Sequence, residues 1–168
     1  MSKVLYNPAD IEKATKQVAD HLNSLYNQDN EDTVILAPIL QGAVPFFMDI
    51  AKHLKFDPYT EFVGVKSYDG EHQKEHHLYK MIDPNMLKGK VVWLFDDVAD
   101  SGNTLQFMSK MLKQFGAVEV KTCVLLKKRH CKYPVDVYAF EMGSEWIWGY
   151  GLDAPNGRGR LLNTIYHK

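Results

Sequence analysis

No stretch of this 168-residue chain carries the roughly 18 consecutive apolar residues that a membrane-spanning helix needs. Met1-Ser2-Lys3-Val4 leads into no apolar core of the kind a secretory signal has, so the chain is expected to stay in the cytoplasm. Cysteine is scarce: Cys123 and Cys131 stand too far apart for a Cys-x-x-Cys pair, and two thiols make no disulfide framework. Both read as reduced, with Cys123 packed in a strand. Net charge is nearly absent too. Twenty Lys and Arg face 21 Asp and Glu, and the sequence pI is near 6.6, so no basic field exists to gather nucleic acid. Small molecules are the expected partners, with neither nucleic acid nor membrane among them. Gly-x-x-x-x-Gly-Lys-[Ser/Thr] is missing and Gly-x-Gly-x-x-Gly follows no strand, which sets aside two common phosphate motifs. No internal repeat or low-complexity linker divides the chain, so residues 1–168 read as one domain.

What is present is an ordinary globular composition, 45% hydrophobic and 24% charged. Asn7 reads as a helix cap with Pro8 in the first turn, after which Ile11, Ala14, Val18, Leu22 and Leu25 recur at helical spacing. Residues 33–39 form an almost wholly apolar run, as expected of a strand buried on both faces of a parallel sheet. A helix over about 43–54 follows. Residues 61–66 and 90–95 are further central strands. Leu105, Met108, Met111, Leu112 and Phe115 mark an amphipathic helix that Gly116 ends, and residues 118–126 and 135–140 supply two more strands. Strands alternating with helices predict an α/β fold, a mainly parallel twisted sheet flanked by helices, with right-handed crossovers. Ligands in such sheets sit beyond the carboxyl ends of the strands.

Residues 69–85 differ, being polar and without periodicity between two apolar strands. They read as a long mobile loop, either an active-site lid or a disordered insertion. His72, His76 and His77 bring metal-ligand side chains into it, but their spacing lacks the Glu of a zinc hydrolase and no helix is evident there.

The chemistry concentrates in residues 91–105. A buried strand ends in Asp96-Asp97, and Val98-Ala99-Asp100-Ser101-Gly102-Asn103-Thr104 then turns into a helix. Successive backbone N–H groups and the helix N-terminus can hold a phosphate, Gly102 permits positive φ, and Ser101 and Thr104 add hydroxyl donors. Three carboxylates would repel that phosphate unless Asp96 and Asp97 face ribose hydroxyls or a hydrated Mg²⁺, so the ligand reads as a sugar phosphate. A dehalogenase-type phosphatase would want Asp-x-Asp after its first strand. The plainer alternative leaves Asp97 and Asp100 as helix caps without a ligand.

This segment resembles the phosphoribosyl-pyrophosphate (PRPP) motif of type I phosphoribosyltransferases: hydrophobics, two acids, two small or apolar residues, then Asp-[Ser/Thr]-Gly-x-Thr. Three further landmarks narrow the resemblance to the hypoxanthine-guanine phosphoribosyltransferase family. Leu40-Gln41-Gly42 follows the first strand as the pyrophosphate loop does, Ser67-Tyr68 opens the long loop, and Leu126-Lys127-Lys128-Arg129 resembles the purine-contacting strand end. Trp146-Ile147-Trp148-Gly149-Tyr150-Gly151-Leu152-Asp153 completes the order, resembling the base-pocket segment.

The resemblance implies Mg²⁺-dependent transfer of phosphoribosyl from PRPP to N9 of hypoxanthine or guanine, in a type I phosphoribosyltransferase fold whose purine-binding hood comes largely from residues 128–168. It implies that Asp96 and Asp97 hold the ribose hydroxyls, that Ala99, Asp100, Ser101, Gly102, Asn103 and Thr104 cradle the 5-phosphate, and that Asp100 is the general acid/base at N7. Leu40, Gln41 and Gly42 would contact pyrophosphate, with a cis peptide before Gln41, and Arg160, or else Arg158, would assist. Lys128, or Lys127 one position away, would donate to the 6-oxo group; strand alternation favours Lys128. Trp146 would stack on the base, Ile147 would offer backbone contacts, and Asp153 would sit near the metal or the 2-position. Asp96, Asp97 and Asp153 are the metal candidates. A homo-oligomer, dimer or tetramer, is also implied.

Asn103 and Gln41 stand where relatives carry basic residues, so phosphate binding here leans harder on Mg²⁺. The Trp146-Ile147 pair is also similar to the xanthine-guanine branch. A non-catalytic PRPP-sensing regulator is the rival of another class, but it would need the basic surface this composition lacks.

Overall fold

Two apolar runs build the centre of the fold. In the computed structural model, which describes residues 3–69 and 74–168, these runs become neighbouring parallel strands. In chain order the elements are β1 (Lys3–Tyr6), α1 (Pro8–Leu25), β2 (Val34–Leu40), α2 (Val44–Ala51), β3 (Tyr59–Thr60), β4 (Val63–Asp69), β5 (Lys74–Lys80), α3 (Pro84–Leu87), β6 (Val91–Ala99), α4 (Asn103–Gln114), β7 (Glu119–Lys128), β8 (Val137–Met142), β9 (Ile147–Trp148) and β10 (Ile165–His167). The large sheet runs β5-β4-β2-β6-β7-β8, with β3 beside β2. Every pairing in it is parallel except β4 with β5.

Strand alternation sends successive side chains to opposite faces, and here both faces are covered. Val34 and Leu36 of β2, with Trp93 and Phe95 of β6, pack toward α1 and α2. Ile35, Ala37 and Ile39, with Val92 and Leu94, pack toward α3 and α4. Polar atoms carried into this core are satisfied; the Trp93 indole N–H, for example, donates to Tyr26 Oη at 2.9 Å. The expected cap holds: Asn7 accepts from the Asp10 N–H, Asp10 reciprocates, and Pro8 opens α1.

The 69–85 stretch departs from the unstructured loop expected of it. Residues 74–80 form β5, paired antiparallel with β4 from Asp69↔Lys74 to Gly64↔Lys80. An edge strand with one face in solvent needs no apolar alternation; Leu78 beside Val65 suffices to dock it. His76 and His77 are strand neighbours and therefore face opposite ways, while His72 lies outside the described residues. Among the described residues no group of three His, Cys, Asp or Glu side chains gathers as a metal site. Likewise, no described helix is long and apolar enough to cross a membrane.

A second, three-stranded sheet, β1-β10-β9, joins the first residues to the C-terminal segment. The N-terminal strand thus contributes to the wall expected from residues 128–168, with Lys3 opposite His167 and Ile147 opposite the same histidine on the other side.

Candidate active site

The carboxyl ends of β2, β6 and β7 open on one side of the large sheet, and two cavities meet there. One, of about 420 Å³, is lined by Ser67, His76, Asp96 and the turn from Val98 to Leu105. The other, of about 230 Å³, is lined by Lys128, Trp146, Ile147, Leu152, Asp153 and again Val98 and Asp100. Asp100 therefore belongs to both.

The first cavity is a cradle made by backbone. Gly102 takes φ +85°, and a Cβ there would stand 2.2 Å from the Cβ of Tyr133, so both conformation and space demand glycine. Asn103 and Thr104 start α4, whose first-turn N–H groups lack intrahelical acceptors and emerge at the cavity. Ser101 Oγ accepts from the Asn103 N–H at 3.2 Å. No side chain caps α4: Asp97 instead accepts from the Val98 N–H at 2.8 Å, and Asp100 pairs with His130 at 2.6 Å. The helix-cap alternative for these two carboxylates is thereby set aside. Ala99 is buried at the end of β6, immediately before the turn.

Asp96 is buried and Asp97 half-buried at the strand end. Burial raises the Asp96 carboxyl well above the usual carboxylate range, and the adjacent Asp97 charge adds to the rise. Asp97 is raised by burial as well, but hydrogen bonding and the positive charge of Arg160 pull it back. Two adjoining acids with this bias favour a proton or a cation between them. Their donors are all oxygen, which suits Mg²⁺, and the pair would offer a partial shell for substrate oxygens and water to complete.

A tight junction lies beside them. The Leu40–Gln41 peptide is cis, as the resemblance implied, and Gly42 backs onto Asp97. Gly151, at φ +94°, presses on the Gly42 carbonyl so closely that a Cβ would lie 2.1 Å from its oxygen. Arg160 Nη1 donates to the Gly151 carbonyl at 2.6 Å and Nη2 pairs with Asp153 Oδ2 at 3.1 Å. Arg158 is exposed, with contacts only through its backbone, so Arg160 is the arginine at this corner. Asp153 is engaged by Arg160 and half-exposed, apart from any three-ligand cluster with Asp96 and Asp97 among the described residues. Gln41 is exposed at the loop's tip.

In the second cavity Lys128 is 6% exposed and its Nζ donates to the Glu145 carbonyl, leaving two further N–H donors at the cavity wall. Lys127 points away, to Glu141 at 3.6 Å and over the Tyr138 ring. Trp146 is 57% exposed at the rim and Ile147 is buried beneath it. Ser67 lines the first cavity and Tyr68 follows it on β4, opposite Glu75.

Two histidines touch residues of this site without being assigned to it by the sequence, in which His76 belongs only to a possible metal cluster. His76 Nε2 lies 3.3 Å from Thr104 Oγ1, with its ring stacked on Phe107 at 5.0 Å. His130, between β7 and β8, contacts Asp100. No local pattern announces the contact of either one; both are brought in by tertiary structure.

A family profile described as a phosphoribosyl transferase domain matches residues 8–155. The chain is 30% identical over 179 aligned positions to the hypoxanthine-guanine phosphoribosyltransferase of Streptococcus pyogenes, covering 100% of this chain and 97% of that protein. It is 32% identical, with the same coverage, to the protein of that name from Streptococcus agalactiae. A crystal structure of a hypoxanthine phosphoribosyltransferase from Staphylococcus aureus superposes with a TM-score of 0.87 at 23% identity, covering 98% of this chain and 90% of that one.

Proposed function

The chain belongs to the phosphoribosyltransferase family, in its hypoxanthine-guanine branch, and from that premise we propose that it transfers phosphoribosyl from PRPP to N9 of a 6-oxopurine, releasing pyrophosphate. The observation that carries this reading is the sharing of Val98 and Asp100 between the two cavities. A 5-phosphate in the cradle and a base beside Lys128 put the ribose between them, with its anomeric carbon near Asp100.

The C1′–O bond to pyrophosphate breaks with its electron pair leaving on oxygen, N9 forms the new C1′–N9 bond, and the proton on N7 passes to Asp100. This chain's groups divide the work. Ser101, Gly102, Asn103 and Thr104 hold the phosphate, Asp96 and Asp97 the ribose hydroxyls, and the Leu40–Gly42 loop with Arg160 the leaving group. Lys128 donates to the 6-oxo atom, Trp146 covers the base, and Ile147 closes the floor, excluding water from the electron-poor anomeric centre. Asp96 and Asp97 together with substrate oxygens would hold Mg²⁺, which would supply neutralising charge for the departing pyrophosphate, while Asp153, paired with Arg160, would sit toward the metal or the 2-position of the base. The two unpaired cysteines are both buried, which fits a reducing compartment such as the cytoplasm.

The test is pyrophosphate release with PRPP, Mg²⁺ and each of hypoxanthine, guanine, xanthine and adenine. A buried ammonium at the 6-position rejects adenine, whose 6-amino group cannot accept, by on the order of 10³-fold or more in kcat/KM. Lys128→Met keeps the bulk, removes the donors, and should lower 6-oxopurine turnover while losing much of that discrimination. Adenine turnover equal to that of hypoxanthine in the wild-type protein refutes the reading.

A further inference from the structure

Asp100 presents one carboxylate oxygen to a neighbour that the reaction as written does not use. Its Oδ1 lies 2.6 Å from Nε2 of His130, a separation that requires one proton between the two atoms. His130 reaches this position on an anchored backbone. The Cys131 N–H donates to the Lys128 carbonyl at 3.0 Å and the Arg129 N–H to the Met142 carbonyl at 2.9 Å. Cys131 is buried, and Tyr133 packs against Gly102 of the phosphate turn while its hydroxyl meets Ser109 Oγ at 2.9 Å. The loop that bears His130 is thus clamped to the loop that bears Asp100.

Both side chains are more than half exposed, 56% and 69%. Pairs in such settings add little to folding stability. A short contact of small structural value, on the one carboxylate shared by both cavities, has its consequence in the reaction.

We propose that His130 is a positioning residue for Asp100: its Nε2–H donates to Oδ1, selects one rotamer of an otherwise mobile carboxylate, and leaves Oδ2 aimed at N7 of the base. This rests on the acid/base reading of Asp100. The hydrogen bond persists through turnover, since Oδ1 still accepts from Nε2–H after Oδ2 has taken the purine proton. Without it the exposed Asp100 side chain distributes over its staggered wells, and displacements of about 1 Å at a reacting group can lower rates on the order of 10²-fold.

The test is a double-mutant cycle on the full chain with His130→Ala, His130→Gln, Asp100→Asn and the His130→Ala/Asp100→Asn pair, followed by kcat, KM for PRPP and base, and thermal denaturation. His130→Ala should lower kcat about 10- to 100-fold, with KM for PRPP within about threefold of wild type and Tm unchanged. His130→Gln, whose side-chain amide N–H reaches the same oxygen, should recover at least about threefold of that loss. In the Asp100→Asn background, itself lowered about 10²- to 10⁴-fold in kcat, His130→Ala should change nothing further. Wild-type kcat in His130→Ala, an absence of rescue by Gln, or the same loss in both backgrounds overturns the proposal. Wild-type kcat in Asp100→Asn is a separate outcome: it removes the acid/base reading of Asp100, and His130 loses its role with it.

Discussion

Gly42→Ala replaces one hydrogen by a methyl group at the point where the loop after β2 backs onto Asp97. The new Cβ would stand 1.8 Å from Asp97 Oδ2 and 2.6 Å from its Cγ. Ordinary contact is about 3.5 Å, so the carboxyl group must move by roughly 1 to 2 Å. Its escape is confined, because Asp97 Oδ1 accepts the Val98 N–H at 2.8 Å and the Asp97 N–H donates to Asp96 Oδ1 at 2.9 Å. Moving away leaves a partly buried N–H without its partner, a loss of about 1–3 kcal/mol. That corresponds to a Tm decrease of roughly 2–10 °C for a chain of this size. The same displacement carries a carboxylate proposed to hold the ribose out of place, and kcat/KM should fall on the order of 10²-fold. Pyrophosphate release and calorimetry on the one variant read both effects. Adding Asp97→Gly should return the lost Tm without restoring turnover, since it removes the atoms that clash. A Gly42→Ala protein with wild-type kinetics and wild-type Tm would show that Asp97 holds nothing the reaction needs.

The remaining expectations concern the acid pair and the hairpin. Because the folded-state value of Asp96 lies above its ordinary value of about 3.9, the folded chain binds more protons than the unfolded one between the two. Its contribution to stability is complete below that ordinary value and is lost as pH rises through the raised one, so Tm of the wild type should fall relative to Asp96→Asn as pH rises above about 4; a difference that widens in the opposite direction contradicts the shift. Ribose 5-phosphate should slow amide exchange across β5 through the His76–Thr104 contact, and His76→Ala should abolish the slowing. Exchange rates indifferent to the ligand would uncouple the hairpin from the cradle.

The parts of this protein that were legible in its sequence are those where local chemistry dictates structure. β2 and the first five residues of β6 are apolar because both faces are covered there, and the turn from Asp100 to Thr104 shows itself because a tight turn opening a helix demands a glycine and small polar residues. Strand alternation predicts that Lys128 and Lys127 point opposite ways, and the structure sends them to opposite faces. What stayed hidden depends on distant partners. β5 is a polar edge strand whose only half-buried apolar residue is Leu78, so its periodicity carries no signal. The pairing of β1 with β10 and the meeting of His130 with Asp100 are brought about by the fold, and no window of neighbouring residues contains them.

The small sheet has a kinetic meaning as well. Lys3 pairs with His167 across roughly 160 residues of intervening chain, one of the longest loop closures this protein can make. Contacts of such high order are slow to form, whereas the cradle between β6 and α4 is built from residues close together in sequence. Folding should therefore complete the phosphate end first and the base end last, and partial opening should reverse that order. A chain caught with β1 and β10 unzipped would keep the turn proposed to hold the sugar phosphate while having lost part of the wall proposed to select a purine.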